Sequence, residues 1–181
     1  GAGQFSGNEA IYGALLFART PNVRMRIQGN NTDDPISFTH NGALKGGVFY
    51  FLSVSAEIVI EGPVDFRRNN ANSSGGVIFF DMDYCTYDPY NYGLPENMNC
   101  RIEASLHLSK NVTVEDNSAS DGAFVHFHEW GSPEGYSTFN VTLHIEDTQM
   151  RKGSATNTGG FLALERSLDY SSGSQVCFED A

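Results

Sequence analysis

Apolar and polar residues alternate along short segments of this chain, and the segments recur. RMRIQ, EIVIE, SLHLS and TLHIE put Met25, Ile27, Ile58, Ile60, Leu106, Leu108, Leu143 and Ile145 on one face, and Arg26, Val59, His107 and His144 on the other. Period-two alternation predicts a strand with one face in a core and one in water. ISFTH, VDFRR, VTVED and TQMRK alternate in the same way. A third set, ALLFA, VFYFL, VIFF, FVHF and FLAL, is apolar on both faces. No segment holds a helical apolar period for three turns, so the chain is predicted to be all-β.

A repeated phrase joins these strands. It occurs five times: FSGNEAIYGALLF, FTHNGALKGGVFYF, FRRNNANSSGGVIFF, VEDNSASDGAFVHF and MRKGSATNTGGFLAL. Aligned on Gly13, Gly46, Gly75, Gly122 and Gly159, the copies are 33, 29, 47 and 37 residues apart. A strand-bearing unit of this length, repeated, describes a solenoid. The predicted fold is a parallel β-helix of about five coils of three strands, a single domain spanning residues 1–181. Asn8, Asn41, Asn69 and Asn117 fall at the same corner of successive coils and are expected to stack as an Asn ladder. Asn tolerates the left-handed backbone expected at a corner, and Gly153, in the fifth copy, is expected to serve the same backbone purpose. The Ala column (Ala10, Ala43, Ala71, Ala119 and Ala155) suits a site where only a small side chain fits.

The F-x-x-N and G-G-A/V-I/L/V half-motifs together resemble the repeat of chlamydial polymorphic membrane proteins and related Pmp-like proteins. The resemblance covers nearly the whole chain; Val114 and Met150 replace the Phe, and Gly153 the Asn, in the later copies. It implies an extracellular right-handed β-helix concerned with adhesion and surface display.

The coils are not equally long. From the first Gly to the core residue of the next strand is 14 residues for Gly13 to Ile27 and for Gly46 to Ile60, but 33 for Gly75 to Leu108 and 23 for Gly122 to Ile145. Insertions are therefore expected at 82–103, 128–137 and 165–176, leaving one corner side by side. They carry Tyr84, Tyr87, Tyr90, Tyr92, Trp130, Tyr136 and Tyr170. Aromatics with polar tips suit a glycan or a surface-protein ligand, so Tyr87, Tyr90, Tyr92, Trp130 and Tyr136 are candidate binding residues; the alternative is that the loops only cover the scaffold. The first strands add an outer stripe, with Leu15, Val48, Val77, Phe124 and Phe161 expected to point outward alongside Phe17, Tyr50 and Phe79. Such a stripe is expected to pack on a neighbouring chain.

Charge narrows the partners. A net charge of −11 with only 11 Lys and Arg argues against nucleic acid, and no apolar run is long enough to insert in a bilayer. Cys85 and Cys100, within the first insertion, bracket its Tyr-, Asn- and Pro-rich stretch and read as a disulfide, against the alternative of two reduced thiols; Cys177 is left over. Sequons at Asn30, Asn72, Asn111 and Asn140 point the same way, to an extracellular or cell-surface glycoprotein. The sequence begins in a strand and stops soon after a fifth first strand, with no amphipathic capping helix. Either it is one piece of a longer solenoid, or copies stack head to tail.

Catalytic patterns are sparse: there is no G-x-S-x-G, H-E-x-x-H or C-x-x-C. Asp81, Asp83 and Asp88 cluster at the first insertion, but lack the glycine and distal Glu of a calcium loop. No metal or cofactor is expected. The sequence thus points to a non-catalytic structural or adhesive module, a head-to-tail fibre subunit. The alternatives are a carbohydrate-active β-helix enzyme working through Asp81, Asp83 and the aromatic loops, or a fragment of a bacterial surface adhesin passenger.

Overall fold

The computed structural model describes residues 3–20, 22–53, 55–82, 101–129, 138–166 and 175–179. They form a parallel β-helix of five coils. Coil one contains β1 (Gln4–Ser6), β2 (Glu9–Tyr12), β3 (Leu16–Arg19) and β4 (Asn22–Gln28). Coil two contains β5 (Ile36–Thr39), β6 (Gly42–Lys45), β7 (Phe49–Leu52) and β8 (Ser55–Glu61). Coil three contains β9 (Val64–Arg67), β10 (Asn70–Ser74), β11 (Ile78–Met82) and β12 (Arg101–Ser109). Coil four contains β13 (Val112–Glu115), β14 (Ser118–Asp121), β15 (Val125–Glu129) and β16 (Thr138–Ile145). Coil five contains β17 (Thr148–Arg151), β18 (Ser154–Thr158), β19 (Leu162–Arg166) and β20 (Gln175–Glu179). Equivalent strands stack in order into four parallel sheets, numbered here I to IV by their place in the coil.

Sheet II is the addition to the three strands read from the sequence. Its central members NANSS, SASD and GALK lack β-branched and aromatic residues, and the sheet carries register shifts. They are extended because the chain must run from the Asn corner to the Gly corner, with Ala43, Ala71 and Ala119 buried beneath. The strands also run into each insertion: β11 extends to Met82 and β12 starts at Arg101, β15 extends to Glu129, and β20 begins at Gln175.

Two corners set the coil. At the second, the first glycine of each pair has positive φ, from +50° at Gly13 to +65° at Gly75. A Cβ on Gly75 would lie 2.2 Å from the Ile78 carbonyl oxygen, so only glycine turns here. At the first corner the left-handed residue is not the Asn. It is the residue before it: Gly7, His40, Arg68, Asp116 and Lys152, with φ between 52° and 69°. The Asn is selected for its hydrogen bonds. Gly153 likewise has no positive φ; a Cβ there would lie 2.7 Å from the Phe161 ring, which fills the space an Asn side chain would need.

The core is stacked in columns. Phe5, Phe38 and Phe66 lie face to face at 5.1 and 4.9 Å, while Phe51 sits tilted over Phe80 at 5.4 Å and Phe80 stacks on Phe127 at 4.6 Å. The expectation that Val48, Val77 and Phe124 point outward is overturned: all three are in the core cluster, with Leu15 and Phe161 packed against it. They sit in the bend before the strand starts, so strand alternation does not extend back to them. The genuine outer column of sheet III is Phe17, Tyr50, Phe79, His126 and Ala163. Within this single chain it is buried from Tyr50 to Ala163, and only Phe17, 48% exposed, opens to solvent.

Candidate interaction surface

Corner chemistry makes the polar ladder. In coils two and three the Asn side chain bridges forward and back. Asn69 Nδ2 donates to Asn117 Oδ1 (3.0 Å) and to the Phe38 carbonyl (2.9 Å), while its Oδ1 accepts from the backbone N–H (3.1 Å) and Nδ2 (2.9 Å) of Asn41. Asn41 and Asn117 are buried with Asn69, and Asn8 donates its backbone N–H and Nδ2 to Asn41 Oδ1 at 3.2 and 2.9 Å. The structure thus brings Asn8, Asn41, Asn69 and Asn117 into one line. At its coil-one end the line is open: no donor among the described residues reaches Asn8 Oδ1.

Apolar exposure gathers at the same end. Phe5, Ile11, Tyr12, Leu16 and Phe17 are all exposed, Ile11 by 66%; on the other four coils only Leu44, Ile145 and Leu164 are comparably exposed among the described residues. The interior opens there into a cavity of about 420 Å³ lined by Phe5, Leu16, Met25, Ile27, Phe38 and Phe49. Three of the 11 basic residues, Arg19, Arg24 and Arg26, stand on this coil. Arg26 pairs with Glu61 at 2.5 Å and holds that carboxyl below its ordinary range, and Arg24 pairs with Glu57 at 3.1 Å.

A second concentration of polar groups lies on the outer side of sheet III. The Tyr50 hydroxyl donates to Asp81 Oδ2, and His128 Nδ1 lies 3.4 Å from Asp81 Oδ1. Beside them His126 is 1% exposed, edge-on to Phe79 with ring centroids 5.2 Å apart. Its Nε2 is 3.4 Å from Glu165 Oε2 without hydrogen-bonding geometry. Burial pushes the His126 pKa down to about 4 against the pull of Glu165. On sheet IV, His107 and His144 stack at 4.2 Å, and burial followed by the His144 charge lowers the His107 pKa. The outer face of sheet IV also carries a shallow polar groove of about 450 Å³ between Asn22, Glu57, Glu103 and Asn140. Among the described residues no group of three or more His, Cys, Asp or Glu is arranged to hold a metal ion.

The sequence-derived sites divide accordingly. Tyr87, Tyr90, Tyr92, Trp130, Tyr136, Cys85, Cys100, Asp83 and Asp88 lie outside the described residues. Asn30, Asn72 and Asn111 are exposed, Asn111 in a left-handed turn (φ 72°), and Asn140 is partly buried on sheet IV. Cys177 falls in β20, in register with Thr142. Sequence reasoning did not find the Tyr50–Asp81–His128 contact. Its members are 31 and 47 residues apart, and only the coil register joins them.

Comparison with protein-family models, curated proteins and solved structures gives no match to this chain.

Proposed function

We propose that this chain is an extracellular, non-catalytic structural or adhesive module of Pmp-like repeats, which works by associating with further copies through its coil-one end. The observation that carries this reading is the coincidence at one end of the open Asn8 rung, the 420 Å³ apolar mouth and five exposed large apolar side chains. An apolar patch of that kind on an otherwise well-covered molecule marks an interaction site. The polar residues of the repeat support a structural role, because they are engaged in holding the coils together. The sequons at Asn30, Asn72, Asn111 and Asn140, each at least partly exposed, support the extracellular assignment. The aromatic insertions remain the place for a glycan or surface-protein ligand.

Electron microscopy of the purified chain across a concentration series tests the reading. Filaments or ordered oligomers that lengthen with concentration are expected. Discrete monomers that degrade an acidic polysaccharide would refute it. Intact-mass measurement of material from a eukaryotic secretory host checks whether the sequons carry glycan.

A further inference from the structure

In sheets I, III and IV the register carries most positions of coil one, through three intervening coils, to a position of coil five. If the solenoid continues across a junction, each coil-five residue meets the coil-one residue of its own column. Arg19 shares a column with Glu165 through Leu52, Asp81 and His128. Arg26 shares a column with Glu179 through Val59, His107 and His144. The two columns charged at both ends therefore begin with Arg and end with Glu, while the Arg24 column ends at Cys177 and the Ser6 column ends at Arg151.

The uncharged columns match as well. Leu16 meets Leu162, Ala18 meets Leu164, and Met25 meets Phe178. Gln4 meets Gln149 along sheet I, an amide over an amide. No charged residue in these columns meets its own sign. Slipping the junction by one residue moves Arg19 off Glu165 onto Leu164 or Arg166, and sets Met25 against Glu179 or Arg26 against Phe178. The ladder also continues: by the pattern of the rungs below, Gly153 N–H takes the place of the Asn backbone donor to Asn8 Oδ1, and the Met150 carbonyl accepts from Asn8 Nδ2.

We propose that coil five of one copy docks on coil one of the next in the register of the intact solenoid, with Arg19 opposite Glu165 and Arg26 opposite Glu179. This names the partner and the contact for the association put forward above, and rests on it. The contact is heterologous, so it does not close on itself and builds a linear stack.

Charge reversal tests the register. The R19E/R26E variant sets Glu against Glu at the junction, and the E165R/E179R variant sets Arg against Arg. Each alone is expected to raise the concentration for half-maximal association about tenfold or more, since like charges facing each other across an interface are strongly disfavoured. An equimolar mixture restores complementary charges at every junction, and is expected to assemble as an alternating copolymer near the wild-type concentration. Sedimentation velocity with the two variants separately labelled reads this directly. Far-UV circular dichroism establishes that each variant is folded, and Asn8→Ala, at the end rung, gives a second probe of the junction that leaves the charges intact. Association of both variants at the wild-type concentration would overturn the register while leaving self-association standing. A wild-type chain that stays monomeric would overturn both, and would give coil one to some other occupant.

Discussion

Replacing Asn69 with Ala removes one interior rung of the amide ladder. The side chain makes four hydrogen bonds: to Asn117 Oδ1, to the Phe38 carbonyl, and from the N–H and Nδ2 of Asn41. Asn69 is fully buried, so water does not replace them. At about 1 kcal/mol net for each, and with the buried Asn41 N–H left unpaired, Asn69→Ala should cost about 4 kcal/mol or more. Asn8→Ala is the control, because the same residue type at the end rung makes one side-chain bond, to Asn41 Oδ1 at 2.9 Å. Its expected cost is about 1 kcal/mol. Urea unfolding followed by far-UV circular dichroism measures both, at a concentration below association. The slope must be compared along with the midpoint, since a solenoid can lose cooperativity when one coil weakens. Equal losses for the two variants would refute the claim that the ladder, rather than the apolar columns, locks the interior coils together.

Three further outcomes follow from the geometry. Gly75→Ala forces a Cβ to 2.2 Å from the Ile78 carbonyl oxygen at φ +65°, and should lose on the order of 3 kcal/mol or more in the same assay. Tyr50→Phe removes a buried hydroxyl donor to the Asp81 carboxylate, and should lose about 2 kcal/mol. His126, held near 4 by burial, stays neutral in the fold while the unfolded chain takes up a proton near its ordinary 6.5; its contribution is complete above pH 6.5, declines as pH falls toward 4, and totals about 3 kcal/mol. His126→Phe should remove that slope, and an unchanged pH profile of the urea midpoint would refute the assignment.

The repeat phrase made the solenoid readable because the same physical demand returns in every coil. A residue with positive φ at Gly13, Gly46, Gly75, Gly122 and Gly159 can hardly be anything else, and the stacked amides need the same side chain on each rung. The other corner was opaque for the opposite reason. Its left-handed position is filled by Gly7, His40, Arg68, Asp116 and Lys152, which share no chemistry, so the Asn beside them attracted the backbone role they perform. Sheet II was hidden because Ser, Asn and Ala carry little strand preference. The inward turn of Val48, Val77 and Phe124 was hidden because alternation holds only within a strand, and these residues precede one. The Arg19–Glu165 and Arg26–Glu179 columns needed four successive registers, and no spacing in a sequence with unequal insertions supplies them.

The ladder also gives the stack its direction and its weakest point. Asn41 and Asn69 each accept two hydrogen bonds on Oδ1 from the coil before, and donate from Nδ2 both to the Asn Oδ1 of the coil after and to a carbonyl of the coil before. Coil one therefore presents the Asn8 Oδ1 acceptor and the second Asn8 Nδ2 hydrogen, and by the pattern of the rungs coil five presents the Gly153 N–H and the Met150 carbonyl to match them. At position 153 the Phe161 ring lies where an Asn side chain would sit, so the proposed junction has one amide bond fewer than the rungs within the chain. That difference is about 1 kcal/mol. Each junction is accordingly weaker than the coils it joins, so a stack built this way dissociates on dilution into folded chains before any coil unwinds.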